Sequence, residues 1–179
     1  MHQEIIMAGT GGDGVLLMGQ LLAHAALLED KNVVWFPSYG PESRGGSADC
    51  NVILSTGEIG SPIIATPDTL IALNQAQLDK YAPTVKSGGL IVLNCSLAVP
   101  PKDKTGCRVI SIPASDIADK AGTVRATNMV MLGCYIAAAK SVAMESILAA
   151  LPEVLPPHRH NLLPVNQLAL ERGAEMGAG

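Results

Sequence analysis

The stretch "EIIMAGTGGDGVLL", residues 4–17, decides the fold. Glu4–Ala8 is a short apolar run that stops at glycines, as a buried parallel strand does. From Val15 the pattern changes to a helical one. Leu17, Leu21, Ala25 and Leu28 recur on one face, with Gln20 and His24 elsewhere. The spacing predicts a strand over 4–8 and a helix over 15–28. A glycine turn, Gly9 to Gly14, lies between them.

Such a turn answers to two cofactor patterns. Gly9, Gly11 and Gly14 fit the G-x-G-x-x-G that cradles a dinucleotide pyrophosphate. Gly12-Asp13-Gly14 also spells the opening of a thiamine pyrophosphate and magnesium motif. A stand-alone dinucleotide-binding protein requires an acidic residue at the end of the second strand. The second predicted strand, Asn32–Phe36, runs into Trp35-Phe36-Pro37. Glu29 and Asp30 stand ~20 residues downstream of Gly9, yet before that strand. A free-standing thiamine enzyme requires a second hard oxygen ligand for the magnesium. The asparagines that follow, Asn32 and Asn51, are single and off the customary spacing. The third reading is structural: the glycines turn strand sharply into helix and let the helix pack close to the sheet. This reading carries most weight, and it leaves a turn that another subunit can approach closely.

Strand and helix signals alternate beyond the turn. Strands are predicted at 48–54, 69–73, 90–94 and 108–112. Helices are predicted at 74–85, with an irregular last turn at Pro83, and at 116–121, with Ser115 as cap. Pro37–Cys50, "PSYGPESRGGSADC", reads as a long loop from its Pro, Gly and Ser content. Three helical segments follow at 128–139, 146–155 and 164–172. The last seven residues, 173–179, read as a disordered tail. The fold class is therefore α/β: a Rossmann-like, doubly wound, mostly parallel sheet with a helical C-terminal third, forming one domain over 1–179.

Composition narrows the function. The net charge of −4 gives nucleic acid nothing to hold. The longest apolar run, 129–139, is short of the ~20 residues of a membrane span. No signal peptide is visible, so the expected location is cytoplasmic. Cys50, Cys95, Cys107 and Cys134 form no C-x-x-C clip, so no iron–sulfur cluster or zinc site is expected on this chain. Hydrophobic residues make up 48% of the chain and charged ones 16%. Average domains carry roughly 25% charged residues. A surface covered by a partner explains the surplus; an Ala/Gly-rich compact core is the alternative.

Within 37–50, Arg44 is suited to a bidentate pair with a carboxylate or phosphate, and Glu42 is a local ion-pair partner. The string "FPSYGPESRGGSADCNVILS" (36–55) makes the sequence recognisable. Together with "GTGGDGV", "IGSP" (59–62), "PDTLIALN" (67–74), "GGLIVLN" (88–94), "IPASDIA" (112–118) and "NMVMLG" (128–133), it resembles the gamma subunit of the 2-oxoacid:ferredoxin oxidoreductases. The match runs over nearly the whole chain, and Tyr-Gly-x-Glu-x-Arg-Gly-Gly is its specific part. The family usually has glutamine where this chain has Asp13. The resemblance implies a non-catalytic subunit in an enzyme that oxidatively decarboxylates a 2-oxoacid to an acyl-CoA and reduces ferredoxin. It implies thiamine pyrophosphate, magnesium, coenzyme A and iron–sulfur clusters in the complex, with alpha, beta and delta subunits as partners and no cofactor bound by this chain alone. An indolepyruvate-type small subunit is the neighbouring alternative. Arg44, Tyr39, Ser38, Gly11 and Gly12 become candidates for contact with coenzyme A or a subunit. Gly9, Gly14, Gly40, Pro41, Glu42, Gly45 and Gly46 become candidates for the surface facing the other subunits. A homodimer of the isolated chain is also compatible with the apolar surplus.

Overall fold

A computed structural model describes residues 1–40, 45–101 and 106–179. The chain runs β1 (His2–Thr10), α1 (Val15–Leu28), β2 (Asn32–Tyr39), β3 (Ser47–Ser55), β4 (Thr69–Ala72), α2 (Gln75–Tyr81), β5 (Leu90–Asn94) and β6 (Arg108–Ile112). Then come α3 (Ala114–Ala121), α4 (Thr127–Ala139), α5 (Met144–Val154) and α6 (Leu163–Gly177). The strands form one sheet in the order β2-β3-β1-β4-β5-β6. β1, β4, β5 and β6 pair in parallel, while β3 runs antiparallel to both its neighbours, β1 and β2.

The period of two along each strand divides the interior into two cores. Ile5 and Met7 of β1, Ile71 of β4 and Val92 of β5 face α1 and the C-terminal helices. Ile6 and Ala8, Leu70 and Ala72, and Ile91 and Leu93 face α2 and the 59–64 segment. Most strands are thus buried on both sides, which is why they read as continuous apolar runs.

Three expectations need correction. The Pro37–Cys50 segment, expected as a loop, is strand at both of its described ends, which pair as a β-hairpin: Pro37 with Cys50, Ser38 with Asp49 and Tyr39 with Ala48. Helix α3 begins at Ala114 and Ser115 does not cap it; Pro113 holds the cap position with no side-chain bond. The predicted disordered tail at 173–179 is helical through Gly177. Gly173 and Gly177 are buried against α4, where a Cβ on either would lie about 2 Å from the carbonyl oxygen of Val130 or Cys134. Helix α2 does end at an irregular turn, a 3-10 turn over Ala82–Thr84 that contains Pro83.

The C-terminal helices are latched to α1 by one carboxylate. Glu29 Oε1 accepts from the Ala143 N–H at 2.6 Å, just ahead of α5, and Oε2 accepts from Lys31 Nζ at 2.6 Å. The same Nζ donates to the Ser141 carbonyl at 2.6 Å. Burial pushes the Glu29 pKa up, but hydrogen bonds from Lys31, Ser146 and the Ala143 N–H outweigh it and hold the carboxyl below its usual value. A lowered folded-state pKa contributes stability above the unfolded value of about 4.3, and that stability is lost as pH falls through the folded value. Glu29→Gln is therefore expected to cost about 1 kcal/mol at pH 7. Thermal melts of variant and wild type should converge as pH drops below 4.5; a gap that persists at low pH would remove the charge from this explanation.

Candidate functional site

The glycine turn crosses the C-terminal end of β1, beside the place where the chain order on the sheet reverses. Such crevices are where open α/β sheets take ligands. Gly12 and Gly14 have φ of 107° and 74°, a region that favours glycine. Gly9 is buried, and a Cβ there would lie 2.8 Å from Val15 Cγ2. The structural reading of these three glycines, sharp turn and close packing, is what the geometry shows.

Three N–H groups of the turn are bonded within the chain. Asp13 Oδ2 accepts from the Thr10 N–H at 2.7 Å, and the Asp13 N–H donates to the Thr10 carbonyl at 3.0 Å. The Thr10 hydroxyl accepts from Asn74 Nδ2 at 3.0 Å. The Gly11 N–H donates to the Gly46 carbonyl at 2.8 Å. That last bond joins the two segments that the sequence singled out. The Gly40 N–H in turn donates to the Ser47 carbonyl at 2.8 Å and closes the hairpin. Ser38, Tyr39 and Gly45 are exposed at this end of the hairpin. Pro41, Glu42 and Arg44 lie outside the described residues.

Glu29, the acidic residue at roughly the dinucleotide spacing, holds the start of α5 and Lys31 instead. Asp13, the would-be magnesium ligand, holds Thr10. Neither carboxylate is presented as the cofactor patterns require.

What sequence reading missed is a two-chambered cleft beside the turn. The larger chamber, about 810 Å³, lies between the turn and the C-terminal helices, with Gly12, Gly14, Arg125, Asn128 and Arg159 in its wall. The smaller, about 200 Å³, is lined by Asp13, Asn94, Ser115, Arg125 and Thr127. Gly12 and Arg125 belong to both. Arg125 and Arg159 are exposed, and among the described residues neither has an ion-pair partner.

Two buried asparagines fix the cleft. Asn128 Nδ2 donates to the Gly14 carbonyl at 3.1 Å, and its Oδ1 accepts from the Met129 N–H at 3.0 Å. A Cβ on Gly14 would lie 2.5 Å from that Nδ2, so α4 and the turn fit only with glycine there. Asn94, at the end of β5, is fully buried. Its Nδ2 donates to the Leu73 carbonyl and to Ser115 Oγ, and its Oδ1 accepts from the Ser96 N–H. It ties the ends of β4 and β5 to the start of α3. Burial without such partners would be costly for an amide. The available signal was each asparagine's position, one ending an apolar strand and the other opening an apolar helix.

With this arrangement in hand, the family is identifiable. Residues 4–176 match the pyruvate ferredoxin/flavodoxin oxidoreductase family. The chain belongs to that family. It is 40% identical to ketoisovalerate oxidoreductase subunit VorA of Methanothermobacter thermautotrophicus over 96% of its own length and 36% of the relative's. It therefore spans about a third of that relative. It is 34% identical to 2-oxoglutarate synthase subunit KorC of Methanocaldococcus jannaschii, covering 98% of this chain and 94% of that one. The keto/oxoacid ferredoxin oxidoreductase gamma subunit of Geobacter sulfurreducens superposes with a TM-score of 0.84 at 30% identity, over 98% of both chains. A 2-oxoglutarate:ferredoxin oxidoreductase chain of Magnetococcus marinus, solved with 2-oxoglutarate, coenzyme A and succinyl-CoA bound, shares the fold alone. Its TM-score is 0.89 at 23% identity, over 98% of this chain and 31% of that one. In this family the same fold is therefore found both as a separate subunit and within a longer chain.

No helix among the described residues is long and apolar enough to cross a membrane.

Proposed function

We propose that this chain is the gamma subunit of a multi-subunit 2-oxoacid:ferredoxin oxidoreductase. Its part in the reaction is to hold coenzyme A rather than to perform the redox step. The observation that carries this reading is the larger chamber: two guanidiniums without an ion-pair partner among the described residues, beside a turn free of bulky side chains, with apolar residues such as Leu17 and Val165 in the same wall. Guanidiniums recognise phosphate through paired N–H donors, and apolar walls suit an aliphatic arm. Coenzyme A supplies the thiol that takes up the acyl group. Arg125 and Arg159 bind its phosphates, and Asn128 holds the turn in place.

Thiamine pyrophosphate with its magnesium, and the iron–sulfur clusters, belong to the partner subunits in this reading. The hairpin bonded to the turn, with Phe36 and Tyr39 exposed, faces those subunits. Arg44 extends that surface in the sequence and contacts either a subunit carboxylate or coenzyme A.

Co-expression with the partner subunits tests the proposal. With a 2-oxoacid as substrate, ferredoxin reduction that depends on coenzyme A should require this chain and be lost from the complex assembled without it. Full coenzyme A-dependent turnover without the chain would overturn the reading.

A further inference from the structure

The turn beside the cleft looks like a phosphate cradle, yet three of its N–H donors are already taken. The N–H groups of Thr10, Gly11 and Asp13 bond respectively to Asp13 Oδ2, the Gly46 carbonyl and the Thr10 carbonyl. A cradle works by pointing free N–H groups at an anion. Here one of them already binds an anion, the carboxylate of the turn's own Asp13.

The two chambers differ in charge as a result. Asp13 and Arg125 both line the smaller chamber, and no ion pair joins them. Arg125 and Arg159 line the larger one, and among the described residues no acidic one does. An anionic group entering the smaller chamber meets a carboxylate as well as a guanidinium. The same group in the larger chamber meets two guanidiniums. Buried or partly buried charges interact far more strongly than solvated ones, so one fixed carboxylate suffices to sort a ligand.

We propose that Asp13 is a specificity-determining residue. It occupies the anion position of the glycine turn and bars phosphate from the smaller chamber. A phosphate-bearing ligand then seats its phosphates in the larger chamber, between Arg125 and Arg159. Only an uncharged part that donates hydrogen bonds enters the smaller one, where Asp13, Ser115 and Thr127 supply oxygen acceptors. This rests on the reading of the cleft as the coenzyme A site.

The test is the KM for coenzyme A of the assembled complex carrying Asp13→Asn, which keeps an oxygen for the Thr10 N–H and removes the charge. Asp13→Ser is the second variant, should the first fail to assemble. The expected result is a KM lowered about fivefold at 50 mM salt, with the difference reduced to under twofold at 0.5 M salt as screening shortens the repulsion. The KM for pantetheine, the thiol without phosphates, should not move. Arg125→Ala separates the two readings. If it raises the coenzyme A KM while Asp13→Asn leaves it unchanged or raises it, the role given to Asp13 is wrong and the site stands. If Arg125→Ala leaves the KM unchanged, the site itself is wrong and the role falls with it.

Discussion

Gly173→Ala is expected to lower the melting temperature by roughly 10 °C. Helices α4 and α6 cross so closely that three glycines stand where no side chain fits. A Cβ on Gly173 would lie 2.0 Å from the Val130 carbonyl oxygen, 2.8 Å from its carbon and 3.0 Å from the Cys134 nitrogen. Gly133 on α4 faces the Leu170 carbonyl at 2.0 Å in the same way. The obstacle in each case is backbone, which cannot rotate aside as a side chain can. The helices must separate, and the buried Val130, Cys134 and Leu170 at the crossing lose contacts with them. Overpacking costs typically 1–3 kcal/mol and more when backbone must move. About 3 kcal/mol corresponds to a shift of roughly 6–12 °C in a chain of this size. Gln167→Ala, on the exposed face of α6, should stay within about 0.5 kcal/mol of wild type. A Gly173→Ala protein that melts within two degrees of wild type would show that the helices do not approach this closely.

That contact also explains why the last turns of α6 were misread. Burial of an apolar stripe is what makes a helix visible in sequence. Here the packing surface is Ala169, Gly173 and Gly177, four residues apart, whose side chains bury almost nothing and whose value lies in their absence. "GAEMGAG" therefore looks like a tail. The start of the chain was legible for the opposite reason. β1 is buried on both faces, α1 begins at the residue after the turn, and the change of period falls at Val15 as predicted.

The hairpin was obscured by composition. Pro37 argues against a central strand, and rightly so, but β2 is an edge strand. The Gly40 N–H bonds to the Ser47 carbonyl, so even-numbered residues of β2 point their backbone groups at β3. Pro37 then falls at an outward position, where its missing N–H breaks no ladder bond. The cleft was not legible at all. Arg125 and Arg159 lie 34 positions apart, in 3-10 turns that carry no periodic signal, and only the packing of α3, α4 and α6 brings them to one chamber. The sequence pointed instead to the glycine turn, part of whose donors are bonded within the chain, and to its neighbour hairpin, which one backbone bond does connect to it.

Those two arginines carry the second large effect. Replacing both, as Arg125→Ala/Arg159→Ala, is expected to raise the KM for coenzyme A on the order of 100-fold in the assembled complex. A charge-assisted hydrogen bond to phosphate contributes about 1.5–3 kcal/mol; exposure of both side chains places each near the low end, about tenfold apiece. The losses need not add fully, because both residues line one chamber. The kcat at saturating coenzyme A should be little changed, since a contact made equally in the ground and transition states alters KM alone. The KM for the 2-oxoacid should not move if, as the proposed function has it, that substrate is read on the partner subunits. Wild-type affinity should also weaken with added salt, and the double variant should lose most of that dependence. A double variant whose coenzyme A KM stays within twofold of wild type would remove these residues from coenzyme A binding. An equal fall in kcat and kcat/KM would instead mark them as acting in the chemical step.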